Sequence, residues 1–238
     1  VNFYERVAKE AAKHKLFVDF HGSFKPAGLE RRYPNVISYE GIRGLEQGGN
    51  CKPENTIFIP FIRNAVGPAD FTPGSMFSAQ PEDNRSTRSN AMGSGTRAYQ
   101  MALYVVLESG IQMLADTPSR YLQEAECTEY IASVPVIWDE TKVLDAKVGE
   151  YVVTAREVNG NWYVGGMTDW NSRDITVDFS FLGEGEYEAT IFTDGKNADK
   201  YAYDYKSEKK VINKSTKLDI HMAKGGGFAI TLIKTGLL

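Results

Sequence analysis

The 238-residue sequence has few cysteines, no excess of basic charge and no long apolar run. Its two cysteines, Cys51 and Cys127, form neither a CxxC pair nor a metal-ligand spacing, so two unpaired thiols are favoured over a disulfide. The net charge of -4, with Lys and Arg scattered along the chain, argues against a nucleic-acid partner, because phosphate backbones select clustered basic residues. No stretch reaches the roughly 18 apolar residues of a membrane span.

The N-terminal segment lacks both an initiator Met and the apolar core of a signal peptide. It reads VNFYERVAKEAAKHKL, and its apolar residues recur at helical spacing, which predicts an amphipathic helix over residues 2–14. Because the chain opens inside this helix, we expect it to be a piece of a longer protein. Any targeting signal would then lie outside this sequence.

Residues 1–137 alternate between predicted strands and helices. Strands are predicted at LFVDF (16–20), TIFIPFI (56–62) and IQMLA (111–115), a helix at TRAYQMALYVVLES (96–109), and a further helix beginning at Pro118. Strand–loop–helix units in series indicate parallel strands joined by crossovers. With the long loops after the strands, they favour part of a (β/α) barrel with its site at the C-terminal strand ends. Three strands cannot close an eight-stranded barrel, so we expect its first part to lie upstream.

Residues 138–238 have a different pattern, in which short alternating segments are separated by turn residues. Asn159-Gly160 is a strong hairpin signal. Strands at regular spacing predict an antiparallel β-sandwich. The three glycines at 225–227 are followed by neither a helix nor a Lys-Ser/Thr pair, so a tight turn is favoured over a phosphate-binding loop. The expected architecture is a partial (β/α) barrel, residues 1–137, followed by a sandwich, residues 138–238.

The strand FVDFHG carries the first candidate site residue. Side chains alternate along a strand, so Phe17, Asp19 and His21 share one face, which would be the barrel interior. Burying Asp19 without a partner would cost several kcal/mol or force its protonation. We therefore expect Asp19 either to be hydrogen-bonded to a neighbouring strand, which is favoured, or to lie near a ligand. We expect His21, at the strand end, to be functional.

The loop that follows, SFKPAGLERRYPNVISYEGIRGLE (23–46), is interrupted by prolines and glycines that exclude a long helix. It carries two glutamates, Glu40 and Glu46. They could converge on a hard cation such as Ca²⁺, or one could be a proton donor whose pKa its neighbours set. A pair of carboxylates is also what glycoside hydrolysis uses. The spacing alone leaves these alternatives open.

Six motifs along the chain together resemble glycoside hydrolase family 97. They are VDFHGSFKPAGLERRYPNVISYEGIRGLE (18–46), PFIRNAVGPADFTPGSM (60–76), ALYVVLESGIQMLAD (102–116), VPVIWDETKVL (134–144), WYVGGMTDWNSR (162–173) and GGGFAITLIK (225–234). The resemblance implies an exo-acting α-glycosidase, chiefly an α-glucosidase or α-galactosidase of gut bacteria. It also implies that an N-terminal sandwich and the first barrel half precede this chain. A periplasmic or secreted location in a bacterium is implied by the family alone.

The resemblance assigns roles to particular residues. It implies that Glu46 is the general acid, that Glu40 is a calcium ligand with Glu46 against the same ion, and that His21 contacts substrate. Inverting members carry a glutamate directly after this histidine, whereas the retaining branch has glycine, as Gly22 here, and an upstream aspartate nucleophile. We also expect Lys25 and Asp70 to bind sugar hydroxyls. These assignments predict a retaining enzyme that acts on a terminal α-linked sugar of an oligosaccharide or small α-glycoside, with α-galactosides favoured over α-glucosides.

Two other interpretations remain open. The chain could be a non-catalytic carbohydrate-binding or structural piece, since it lacks the nucleophile and most of the barrel. It could also be a barrel enzyme of unrelated chemistry, but no Ser/His/Asp or Cys/His order is present, and His14 and His221 read as surface residues. The aromatic residues of the second part are expected in a core or interface rather than at a second sugar site. They are Trp162, Tyr163, Trp170, Tyr201, Tyr203 and Tyr205.

Overall fold

The protein is described by a computed structural model over residues 2–47, 51–87 and 90–236. Within these ranges no helix is long and apolar enough to cross a membrane. The first part of the chain consists of helices and short strands. In chain order they are α1 (Asn2–Lys13), β1 (Val18–Phe20), α2 (Leu29–Arg32), β2 (Val36–Tyr39), α3 (Pro53–Thr56), α4 (Ile59–Ile62), β3 (Ser78–Ala79), β4 (Gly93–Ser94), α5 (Arg97–Val106), α6 (Pro118–Gln123) and α7 (Ala125–Ser133). Two 3₁₀ helices lie at Leu45–Gln47 and Asn64–Val66.

A parallel arrangement of strands organises the beginning of the chain. Strands β1 and β2 pair in parallel, and an isolated parallel bridge joins Tyr39 to Ala69. The backbone continues this order, because the Glu40 N–H donates to Phe20 O and the Asp70 N–H donates to Tyr39 O, both at 2.9 Å. Three parallel segments therefore end side by side. Helix α1 packs against β1 and β2 in an apolar cluster that includes Ala8, Val18 and Tyr39.

Two predicted strands are wrong. Residues 56–62 are helical instead, because α3 and α4 each have proline in their first turn, where its fixed φ and missing N–H favour a helix start. Residues 111–115 form no strand; side chains hold this segment instead, with Gln112 Nε2 donating to Tyr104 O and the Tyr104 hydroxyl donating to Met113 O. The sequence reading also missed β2 and α2, which lie within the predicted loop 23–46.

The helices and strands predicted elsewhere are confirmed with small changes of boundary. The N-terminal helix is α1, the strand LFVDF contains β1, and the helix in 96–109 is α5. Thr96 caps α5 by accepting the Tyr99 N–H at 3.1 Å. Pro118 stands in the first turn of α6, as predicted.

The second part of the chain is an antiparallel sandwich, as predicted. Its strands are β5 (Glu140–Lys147), β6 (Tyr151–Val158), β7 (Asn161–Thr168), β8 (Arg173–Asp178), β9 (Tyr187–Asp194), β10 (Tyr205–Ile212), β11 (Lys217–Met222) and β12 (Gly227–Lys234). A six-stranded sheet has the order β10-β9-β12-β7-β6-β5, and the antiparallel pair β8–β11 packs on it. Asn159 and Gly160 both have positive φ, 52° and 79°, in the β6–β7 hairpin. The glycines at 225–227 lead into β12 through a turn, and no helix follows them.

The six-stranded sheet has a core on both faces. One face packs against β8 and β11 through residues such as Val177 and Met222. The other face packs against α5, all ten residues of which are buried. The division at residues 137 and 138 stays a prediction, because α5 precedes it in the chain yet is enclosed by the sheet that follows it.

Asp194, at the end of β9, gives the fold a testable pH dependence. Its Oδ2 accepts the N–H groups of Ala223 and Gly227, at 2.8 and 3.0 Å, below the glycine turn. Burial raises the pKa of this carboxyl from 3.8 to about 7, against the opposing effect of the Thr96 hydroxyl and the two backbone donors. Between about pH 4 and pH 7 the unfolded chain therefore loses this proton while the folded chain keeps it, so the contribution to stability declines as pH rises.

We expect Asp194→Asn to flatten the dependence of melting temperature on pH between about pH 4 and pH 7, because the amide does not titrate and its oxygen still accepts both N–H groups. Asp178→Asn is the matched control, since hydrogen bonds to Lys217 and Ser180 lower the pKa of Asp178 to about 2, below this window. Equal slopes for wild type and Asp194→Asn in thermal denaturation would contradict the argument.

Candidate active site

Three site residues come from the ends of the three parallel segments. His21 follows β1, Glu40 follows β2, and Asp70 follows the Ala69 bridge. Adjacent parallel strands end at the same edge of a sheet, so these side chains start from neighbouring positions. Glu46, in the 3₁₀ helix Leu45–Gln47, reaches the same place because the loop after β2 turns back toward β1.

His21 is at the centre of the cluster. Its Nε2 lies 3.4 Å from Asp70 Oδ2 and 3.5 Å from Glu46 Oε1, and its Nδ1 lies 3.7 Å from Glu40 Oε2. The Gly22 N–H donates to the same Glu40 oxygen at 2.6 Å. The imidazole therefore contacts carboxylates from three different loops.

The carboxylates of the cluster differ in their access to solvent. The side chain of Glu46 is 47% exposed and that of His21 is 46% exposed, whereas those of Glu40 and Asp70 are only 4% and 1% exposed. Neither oxygen of the Asp70 side chain has a hydrogen-bond partner by distance and angle within the part of the chain that the structure describes. Glu46 is thus open to a ligand, while Asp70 is a buried carboxylate with unused acceptor capacity beside the histidine.

Asp19, in β1, lies two residues before His21 and neighbours the Asp70 carboxyl. Its Oδ1 is buried and makes no hydrogen bond to the described residues. Burial raises the pKa of the Asp19 carboxyl, and the neighbouring Asp70 raises it further, while His21 opposes the change. The edge of the parallel sheet therefore concentrates negative charge, which favours a bound proton or a cation.

Two glycines allow the loop after β2 to approach β1. Gly41 has φ 50°, and a Cβ there would stand 2.7 Å from both the Cα and the N of Lys25. Gly44 lies between the two glutamates, since a Cβ there would be 3.8 Å from Glu40 Oε1 and 4.0 Å from Glu46 Cγ. Close backbone contact at Gly41 brings Glu40 and Glu46 toward His21.

Lys25 is not brought into the cluster. Its backbone touches Gly41, but its side chain is exposed, and no hydrogen bond or ion pair within the described ranges joins its ammonium group to the four clustered residues. His14 and His221 lie on the surface, paired with Glu10 and Asp174. The structure thus gathers His21, Glu40, Glu46 and Asp70 and leaves Lys25 at the rim.

Two residues that shape the site were missed in the sequence. Arg63 is buried and donates to the backbone carbonyl oxygens of Glu40 and of Pro68, which lies two residues before Asp70. Cys51 is also buried and donates from its thiol to Arg43 O at 3.2 Å across the loop that carries Glu46, and burial raises its pKa to about 12, so the thiol stays a donor. The position of Arg63 directly after the apolar run 56–62 is its only sequence signal, and Cys51, between Asn50 and Lys52, has none.

The arrangement suits general acid–base chemistry and cation binding. A half-exposed carboxylate beside a histidine can donate and recover a proton. Donor atoms of His21, Glu40 and Glu46 lie within 4.8 Å of one another, a spacing that one metal ion can span. Such a cluster at parallel strand ends, next to an antiparallel sandwich, is typical of a glycoside hydrolase.

Comparison with known families places the chain more closely. Residues 1–42 match the model of glycoside hydrolase 97, and residues 137–233 match the model described as glycosyl-hydrolase 97 C-terminal, oligomerisation. The chain belongs to glycoside hydrolase family 97.

Individual relatives agree with this assignment. A protein of Bacteroides thetaiotaomicron named retaining alpha-galactosidase is 51% identical over 97% of this chain and 36% of its own length. A Streptomyces bingchenggensis protein named probable retaining alpha-galactosidase is 32% identical over 96% of this chain and 33% of its own. The solved structure of a family 97 enzyme from Pseudoalteromonas sp. strain K8, in complex with acarbose, is 38% identical with a TM-score of 0.87, covering 97% of this chain and 37% of that one. The chain thus spans about a third of the length of these relatives.

Proposed function

We propose that this chain is part of an exo-acting retaining α-glycosidase, with α-galactosides favoured over α-glucosides. The observation that carries the proposal is the half-exposed Glu46 carboxylate, which stands 3.5 Å from His21 at the end of β1. The relative named retaining alpha-galactosidase, 51% identical, supports the substrate class. The contacts of the cluster support a catalytic role over a purely carbohydrate-binding one, because Glu46 and Asp70 converge on one histidine.

The proposed mechanism is a double displacement. Glu46 gives its proton to the glycosidic oxygen while a carboxylate upstream of this chain attacks the anomeric carbon; the bond to the leaving group breaks and a glycosyl-enzyme forms. Glu46, now a carboxylate, takes a proton from water as the water displaces the enzyme carboxylate, and the sugar leaves with retained configuration. Gly22 supports retention, since it offers no side chain to activate water and the space at its Cβ position is open.

We further propose that calcium binds beside Glu46. Glu40 and Glu46 fit a hard cation that prefers oxygen ligands, because an oxygen of each carboxylate and a ring nitrogen of His21 lie within 4.8 Å of one another. Glu40 would hold the ion from its buried position and Glu46 would lie against it. When bound, the ion would supply electrostatic stabilisation of negative charge in the site.

The remaining residues are assigned to substrate binding. Asp70 and His21 would bind sugar hydroxyls, and the free acceptor capacity of the buried Asp70 carboxylate supports this role. Lys25 would contact the sugar only if its side chain turned inward from the rim. Strands β1 and β2 and the segment at Ala69 run parallel, and the site lies at their C-terminal ends. This arrangement supports the proposal that this part of the chain belongs to a (β/α)8 barrel completed by the rest of the enzyme.

The sandwich and the location of the enzyme are proposed on the family alone. Residues 137–233 match a family model described by oligomerisation, so we infer that the sandwich joins copies of the enzyme. A periplasmic or secreted location follows only from the resemblance.

We expect the full-length protein to hydrolyse an aryl α-galactoside faster than the matching α-glucoside, and to release first the α-anomer, which proton NMR of the fresh product identifies.

Repeating the assay after removal of divalent cations by a chelator should lower the rate, and added calcium should restore it. The isolated 238-residue chain should turn over neither substrate. An inverted first product, or hydrolysis by the isolated chain, would contradict the upstream nucleophile.

A further inference from the structure

Arg63 lies directly beneath the candidate site. It follows α4, and only 5% of its surface is exposed. Its guanidinium donates to four backbone carbonyl oxygens: Nη2 to Tyr39 O at 2.8 Å and Pro68 O at 3.0 Å, Nη1 to Gly67 O at 3.0 Å, and Nε to Glu40 O at 3.3 Å. Tyr39 and Glu40 lie at the end of β2, and Gly67 and Pro68 directly precede Ala69.

The charge of Arg63 has no acidic partner within the described ranges, since the salt bridges found there do not include it. A buried cation without a carboxylate is costly unless its hydrogen bonds are satisfied. Burial accordingly lowers the pKa of the Arg63 guanidinium from its usual value. Because Arg63 is buried at this cost and its hydrogen bonds go only to backbone carbonyls, we look for its role in the backbone segments that it binds.

The four acceptors show which two backbone segments Arg63 holds together, 39–40 and 67–68. Tyr39 O and Glu40 O belong to the segment that carries the Glu40 carboxylate, and Gly67 O and Pro68 O lie three and two residues before Asp70. Both carboxylates lie beside His21. The two strand ends also share the bond from Asp70 N–H to Tyr39 O, which belongs to the isolated parallel bridge between Tyr39 and Ala69. We propose that Arg63 is a positioning residue that sets the spacing of Glu40 and Asp70 around His21 by bracing the two strand ends from behind. The consequence for catalysis rests on the proposed function, whereas the bracing itself does not.

The shape of the guanidinium explains why arginine is present. Its planar fork presents five N–H donors in fixed directions, and four carbonyls on two segments use that geometry. A lysine ammonium keeps the charge, but it is a point on a flexible chain and cannot reach both segments at once. Arg63→Lys therefore removes the brace with little change in charge or volume.

Arg156 offers a matched control. It is buried to the same degree, its Nε donates to Val105 O at 2.6 Å and its Nη1 donates to Thr141 at 3.1 Å. Burial lowers the pKa of this guanidinium as well. Arg156 belongs to β6, and its side chain joins the end of α5 to β5. Arg156→Lys therefore breaks comparable bonds in a part of the fold that holds no residue of the site.

The test compares Arg63→Lys and Arg156→Lys in the full-length protein by hydrogen–deuterium exchange and by kinetics. In Arg63→Lys we expect faster exchange of the Glu40 and Asp70 amides, whose bonds to Phe20 O and Tyr39 O loosen. We expect kcat/KM to fall by about 10- to 100-fold, the loss that misplacement by about 1 Å can cause. In Arg156→Lys we expect faster exchange near the end of α5 and a kcat/KM close to wild type, at a comparable loss of melting temperature.

The outcomes separate the inference from the proposed function. If the wild-type enzyme hydrolyses neither α-glycoside, the function is wrong and the exchange data still decide the brace. Unchanged exchange at Glu40 and Asp70, or equal kinetic losses in the two variants, would overturn the inference. If Arg63→Lys does not fold, a crystal structure of the wild-type enzyme decides: the guanidinium must contact carbonyls of both strand ends, and contact with only one end would overturn it.

Discussion

Glu46→Gln in the full-length protein is expected to slow hydrolysis of α-glycosides with poor leaving groups by about 10²- to 10⁴-fold, the usual contribution of a positioned acid. Glutamine has the same shape but has no proton to give to the departing oxygen. An aryl glycoside with a strongly acidic phenol needs no such proton for bond cleavage, so its first step should be slowed far less. The measurement is kcat/KM against the pKa of the leaving group, which should depend steeply on that pKa only in the variant.

The second step gives an independent check of the same residue. Without the Glu46 carboxylate, water is not deprotonated and the glycosyl-enzyme accumulates, whereas azide needs no deprotonation and should displace the enzyme carboxylate to form an α-glycosyl azide. Glu10→Gln, an exposed ion-pair residue of α1, is the control and should behave as wild type. A Glu46→Gln enzyme with equal losses for all leaving groups, and no rate increase with azide, would exclude the acid–base role.

The sequence predicted those features that depend on neighbours in the chain. The hairpin at Asn159-Gly160 follows from a backbone conformation with positive φ that these two residues adopt readily. Helix α5 follows from the pattern of the run at 96–109. His21 was placed at the end of a predicted strand that the structure contains, whereas the strand predicted before Asp70, at 56–62, is absent.

The errors have two sources, a local effect of proline and contacts between residues distant in the chain. The run 56–62 is apolar enough for a strand, but prolines at the start of α3 and α4 favour helical turns. Strand β2 has only four residues between Pro34 and Gly41, and it is ordered by pairing with β1 rather than by its own pattern. Arg63 could not be recognised because its four acceptors lie on two segments whose spacing is a property of the folded sheet.

Gly41→Ala is expected to lower kcat/KM by about 10²-fold in the full-length protein, because a Cβ at this position cannot be accommodated without moving the site. The added carbon would stand 2.7 Å from the Lys25 backbone, and backbone atoms cannot turn aside as a side chain can. The segment that carries Glu40 and Glu46 must then withdraw from β1, which separates both carboxylates from His21.

Gly28→Ala isolates this steric effect from the cost of the backbone conformation. Gly28 also has a positive φ, 92°, at the start of α2, but nothing lies within 4 Å of its Cβ position. Its alanine variant should lose stability by about 1 kcal/mol from strain alone and keep the kinetics of the wild type. Steady-state kinetics and melting temperatures of the two variants make the comparison. Similar activities for both would mean that the contact between Gly41 and Lys25 does not position the glutamates, and that their approach to His21 has another cause.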